Sequence, residues 1–190
     1  MKKTLILATV IAVLAGTWTF AVMNIKTFGD IPFILWPTFV AWGAFFYAGA
    51  SVDGLVKALV QFATGVALAA AGAYVWLHVG TLAADDTSFI YLGIIVFVIA
   101  WPITALSGVP SLKGYWAAVP AGFVGAGVFF GVFFFGNSPV AAGGANASEL
   151  SSAIAAFLPL LCGGLLGWLS LQLTNVLAAE PRPIPAPRPA

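Results

Sequence analysis

The chain has 190 residues, of which 62% are hydrophobic, 14% aromatic and only 7% charged, with a net charge of +1. An average soluble domain is about one quarter charged, so seven basic and six acidic side chains cannot cover a water-facing surface of this size. Soluble-enzyme and nucleic-acid-binding functions are excluded, and the single Cys162 rules out an internal disulfide or a multi-thiolate metal site. With a mean hydropathy of +1.06, the chain reads as an integral membrane protein.

A hydrocarbon core about 30 Å thick needs roughly 20 mostly apolar residues per helix. Six such stretches occur, at residues 4–23, 32–50, 58–79, 89–107, 115–135 and 151–176. The expected architecture is therefore all-α and polytopic, with one six-helix domain over residues 1–178 and a tail over 179–190. Met1-Lys2-Lys3 followed by an apolar run also resembles a signal peptide, with small residues at 12–16. The run continues to Met23, beyond an ordinary signal core, so it is read as a retained first helix.

The basic residues set the orientation. With the N-terminus cytoplasmic, Lys2, Lys3, Lys57, Lys113, Arg182 and Arg188 lie inside, and only Lys26 lies outside. Both termini are thus expected in the cytoplasm. Trp36 and Trp76 then fall at outer span ends and Trp101 and Trp116 near inner ends, as an interfacial belt requires, while Trp42 and Trp168 sit deeper. The tail over 180–190 carries five prolines in eleven residues and is expected to be a disordered, polyproline-like extension.

The spans divide three and three. Span two contains Phe39-x-x-x-Gly43-x-Phe45-Phe46 and span five contains Phe123-x-x-x-Gly127-x-Phe129-Phe130, at a constant offset of 84 residues. Gly65 in span three corresponds to Gly163 in span six, and Trp18 to Trp101. An odd number of spans per unit forces an inverted repeat, a plan that recurs in transporters and channels. Gly43, Gly65, Gly127, Gly163 and Gly167 are assigned to close helix packing.

The block over residues 39–70 (FVAWGAFFYAGASVDGLVKALVQFATGVALAA) resembles the hallmark segment of the small inner-membrane proteins called domain of unknown function 1097, the YcdZ-like proteins. Val119-Pro120-x-x-Phe123-x-Gly125 and Leu158-Pro159 with Gly163 are similar to that family's later helices. The resemblance covers residues 5–176 and implies a bacterial inner membrane and six spans. It implies no reaction and no ligand.

Catalysis has no support in the residues. No Asp, Glu, Lys or Arg lies centrally in any span, although buried ionisable groups are what intramembrane chemistry needs. Asp30, Asp85, Asp86 and Glu149 fall in outer loops, Asp53 and Lys57 in an inner loop where they can pair across one helical turn, and His78 stands alone at an outer span end. No metal or cofactor is expected. Pro102, Pro120 and Pro159 mark either broken helices or plain kinks. Neutral polar groups remain, above all Gln61, whose amide needs a partner in hydrocarbon.

Two function classes stay open. In the first, the protein is a channel-like facilitator of a small neutral solute such as a gas, water, urea or a short amide. Phe45, Phe46, Phe129 and Phe130 then form a constriction, and Thr38, Trp42, Gln61, Thr64 and Thr104 line the path. In the second, it is a non-transporting accessory or assembly subunit of a membrane complex. Homo-oligomerisation in the lipid bilayer, with or without another membrane-protein partner, is expected under both. The topology makes a direct prediction: reporters fused after Lys57 and Lys113 are active only as cytoplasmic fusions, and those after Asp86 and Asn146 only as periplasmic ones. Periplasmic activity at Lys57 or Lys113 overturns the orientation.

Overall fold

The computed structural model describes residues 2–25, 27–28, 31–79, 88–135 and 148–179. The tail with Arg182 and Arg188, and loop residues Lys26, Asp30, Asp85, Asp86 and Asn146, lie outside them. The fold is helical: α1 (Lys2–Ile25), α2 (Trp36–Tyr47), α3 (Val52–His78), α4 (Ser88–Ala105), α5 (Lys113–Trp116), α6 (Val119–Phe134) and α7 (Glu149–Ala178). A short antiparallel pair, β1 (Thr27–Phe28) with β2 (Ile31–Pro32), sits between α1 and α2. Among the described residues, four helices are long and apolar enough to cross a membrane: α1, α3, α4 with the 3-10 turn that follows it, and α7.

The two middle helices are short. At about 1.5 Å per residue, α2 with 12 residues and α6 with 16 fall below a 30 Å core. Each has a sequence cause. Pro37 fits the first turn of α2, where its missing N–H is not needed. The same helix ends in a Schellman motif, in which Gly49 N–H bonds Phe46 O at 3.2 Å and Ala50 N–H bonds Phe45 O at 3.2 Å. Gly49 takes φ +102°, which only glycine adopts without strain, and Ala50 follows at φ +49°. Ser51 then caps α3 through Gly54 N–H, so α3 begins at Val52, and the stretch expected to be a loop over 51–57 is its first turns. Asp53 and Lys57 pair there.

Predicted span five is interrupted at Ala117–Ala118, ahead of Pro120. The helix continues through Pro102 in α4 and through Pro159 in α7, so only Pro120 stands at a break. Predicted span two shrinks because Pro32 belongs to β2 and the helix starts at Trp36. His78 is not alone. Its Nε2 lies 2.7 Å from Glu149 Oε1, because Glu149 opens α7 rather than ending a loop.

Packing falls into a regular scheme. Helix α2 lies along α7 and α6 lies along α3, α1 packs on α7 and α4 on α3, and α3 meets α7. Trp36 at the start of α2 rests against Gly131 late in α6, whereas Tyr47 at the end of α2 faces Ala117–Pro120 at the start of α6. The two short helices therefore run antiparallel, with a Trp36 end and a Lys57 end. Trp76 meets Phe134 at the Trp36 end, 5.5 Å between ring centroids, and Trp18 meets Phe33 nearby at 5.7 Å. The start of α1 and the finish of α7 thus lie together at the Lys57 end.

Backbones touch at two crossings. A Cβ on Gly65 falls on the carbonyl oxygen of Gly122 and 2.8 Å from Ala126 N, and one on Gly163 falls on the carbonyl oxygen of Thr38 and 2.8 Å from Ala41 Cβ. Gly167 leaves room for the Phe45 ring, which is 2.6 Å from where a Cβ would stand. Gly43 and Gly127 have nothing within 4 Å of such a Cβ and point away from these contacts. Gly163→Ala should consequently lower stability by about 1–3 kcal/mol, and Gly43→Ala should change it little. Equal melting shifts in the two variants would show that the crossing is not sterically set.

Candidate functional site

The polar side chains of α3 are organised by the break before α6. Proline at 120 has no N–H for the carbonyl of Trp116, four residues earlier, and that carbonyl is left without its helical partner. Gln61 supplies one: its Nε2 donates to Trp116 O at 2.8 Å. Trp116 Nε1 in turn donates to Thr64 Oγ1 at 3.0 Å, and Thr64 donates to Val60 O at 2.8 Å. Gln61 and Thr64 share a helix face, as their spacing requires, and that face holds the start of α6 in place. Gln61 Oε1 has no partner among the described residues and lies beside Gly122.

The other residues assigned to a pathway are spread over the molecule. Thr38 and Trp42, one turn apart on α2, are buried with Oγ1 and Nε1 unpartnered among the described residues, as are the indole nitrogens of Trp18 and Trp168. Phe45 and Phe129 are fully buried. Phe46 and Phe130 each meet the preceding ring edge-on, at 5.4 Å and 68° in α2 and at 5.7 Å and 72° in α6. Thr104 is exposed on α4 beside Trp101 and is not brought near Gln61 or Thr64 in any contact. Trp101 is itself 69% exposed while Trp18 turns its indole nitrogen inward, so these two tryptophans occupy different faces of their helices.

A cavity of about 650 Å³ opens between α2 and α6 at the Lys57 end. Val40, Gly43, Ala44 and Tyr47 form one wall, and Ala118, Pro120, Ala121 and Val124 form the other. Lys57 reaches its margin, already paired with Asp53, and Tyr47 brings a phenol hydroxyl. None of the nine residues that the sequence assigns to a pathway lines this cavity, while Gly43, assigned to packing, does. Sequence reasoning missed the Ala and Val positions because nothing distinguishes them from packing residues. The one available signal was the pair of breaks at Gly49 and Pro120, which end and start the two walls at the same level. Among the described residues, no group of His, Cys, Asp or Glu is arranged to hold a metal ion.

The capping role of Gln61 makes a prediction. Gln61→Leu leaves the Trp116 carbonyl unpaired and should lower stability by about 1–2 kcal/mol. In a Pro120→Ala background residue 120 regains an N–H for that carbonyl, and the loss should shrink by roughly half. A loss of the same size in both backgrounds would refute the cap.

Comparison with curated proteins and with solved structures found no significant match. Residues 8–175 match the family described as "Protein of unknown function (DUF1097)". That match spans nearly the whole helical part, breaks and crossings included, and the chain belongs to the domain of unknown function 1097 family.

Proposed function

We propose that this protein is a passive facilitator of small neutral solutes in the bacterial inner membrane, built as an inverted three-plus-three repeat. The path runs along the seam between α2 and α6. One observation carries the reading. The two backbone crossings use Thr38 and Gly122, which are 84 positions apart, against Gly163 and Gly65, the pair that the repeat also equates. A long–short–long order of helices in each half and the matched Phe pairs support the same equivalence. The cavity then lies between repeat-related helices, where inverted-repeat proteins place their solute sites.

In this reading the chain passes six times through the membrane, with α2 and α6 as short crossings completed by extended and turn residues. Lys2, Lys3, Lys57 and Lys113 gather at one end, which the positive-inside rule assigns to the cytoplasm. The cavity walls are Ala, Gly, Val and Pro with one phenol, and the lone ammonium at its margin is neutralised by Asp53. Such a lining offers a hydrated ion no compensation for lost water but accepts a small neutral molecule. Phe45, seated over Gly167 of α7, and Phe129 fill the core behind the two walls, with Phe46 and Phe130 edge-on to them. Gln61 and Thr64 hold the cavity's α6 wall, whereas Thr38 and Trp42 are buried on α2 outside the lining and Thr104 is exposed on α4, away from the path. The protein works as a homo-oligomer.

A second reading, an accessory or assembly subunit, is favoured by the filled core around Phe45 and Phe129 and by a groove of about 500 Å³ between α3 and α7. Ala63, Ala67, Ala71 and Ala153 make that groove a fitting surface for another membrane helix. Liposome swelling in urea, glycerol and acetamide separates the two. The wild type should swell faster than empty liposomes in at least one solute. Gly43→Trp, which fills the cavity, should return swelling to the baseline with an unchanged melting curve. Wild-type liposomes no faster than empty ones would overturn the facilitator and leave the assembly reading.

A further inference from the structure

The seam between α2 and α6 opens into a cavity at the Lys57 end, and the 84-residue offset pairs the residues of its two ends one by one. At the open Lys57 end the walls carry Ala44, Ala48, Ala118 and Pro120. Their counterparts at the Trp36 end are Val128, Val132, Ile34 and Trp36. Val128 and Val132 are buried in the core and Ile34 packs against it. Tyr47, which borders the open cavity, has Gly131 as its counterpart, and the Trp36 indole occupies the space above that glycine. A Cβ on Gly131 would be 3.3 Å from Cζ2 and 3.5 Å from Cη2 of the ring.

Val128 and Val132 sit within the packing of α6, but the Trp36 side chain reaches across from α2 to α6. It is also the least held of the four. Trp36 is the first residue of its helix, follows non-helical residues, has no side-chain cap at Leu35, and remains 42% exposed. A change of rotamer moves the indole off Gly131 without moving either helix. We infer that Trp36, closing on Gly131, is the gate of the seam at the end opposite the cavity mouth. This rests on the seam being the solute path. The gate then makes permeation depend on one side chain, while the mouth at the Lys57 end stays open.

The test reads sidedness rather than flux, so it is independent of the solute. In a Cys162→Ser background, Ala44→Cys places a single thiol in the cavity wall of full-length protein reconstituted in liposomes of uniform orientation. A membrane-impermeant maleimide should label it from the Lys57 side alone. Adding Trp36→Ala should abolish that sidedness and allow labelling from both sides, whereas Trp36→Phe should largely keep it. Gly131→Ala, which crowds the indole and leaves every core side chain in place, should raise labelling from the Trp36 side above that of the parent, and it covers the case in which Trp36→Ala does not fold. Labelling from both sides in the parent overturns the gate, and so does one-sided labelling in both Trp36→Ala and Gly131→Ala. Swelling measured on the same liposomes reports separately on the facilitator. Loss of sidedness with no flux in any variant leaves Trp36 as a closure and removes the solute path.

Discussion

Two carbonyl oxygens, on Gly122 and Thr38, set the spacing of the helices on which everything else rests. Each lies where a Cβ would be on a glycine of the facing long helix, so α6 meets α3, and α2 meets α7, at backbone distance. Lipid provides no hydrophobic drive to bring apolar helices together, and close backbone approach supplies the dispersion contact that replaces it. The short helices are thereby committed to the long ones. Little is left to hold α2 against α6, and the seam between them stays open at one end.

The same commitment creates the polar bookkeeping of the molecule. Gly122 meets Gly65 in the first turn of α6, just after the helix starts at Val119–Pro120, and that start strands the carbonyl of Trp116. Gln61, one turn before Gly65 on α3, is placed to bond it. A buried amide that looks like a solute ligand in a list of polar residues is thus largely used in closing a helix break. Where no such break exists, in α2, the Oγ1 of Thr38 and the Nε1 of Trp42 remain without partners among the described residues. In a low-dielectric interior such groups hold free energy that a water molecule or a solute recovers.

The peripheral helices follow from this centre. Helices α1 and α4 each pack along one long helix, and most of their surface stays outward. Their sequences are apolar all round, which leaves a helix free to face lipid on most of its surface. The contact of His78 Nε2 with Glu149 Oε1 joins the end of α3 to the start of α7. At the other end Lys57 and Asp53 pair on the surface of α3, where the expected worth of such a pair is small.

The membrane class, the family and the approximate place of each long helix were legible in the residues, because hydropathy over some 20 residues is a local property and bilayer thickness is fixed. The glycines at 65 and 163 could also be paired with each other by their positions in the chain. What the sequence could not decide was which small residues touch another backbone. Gly43 and Gly163 look alike in a sequence, yet only one faces a carbonyl, since helix facing depends on rotation about an axis that apolar composition on all sides does not specify. The partner of Gln61 and the openness of the α2–α6 seam were likewise settled by tertiary structure. Both depend on how far apart four helices stand, a distance set by contacts between residues remote in the chain.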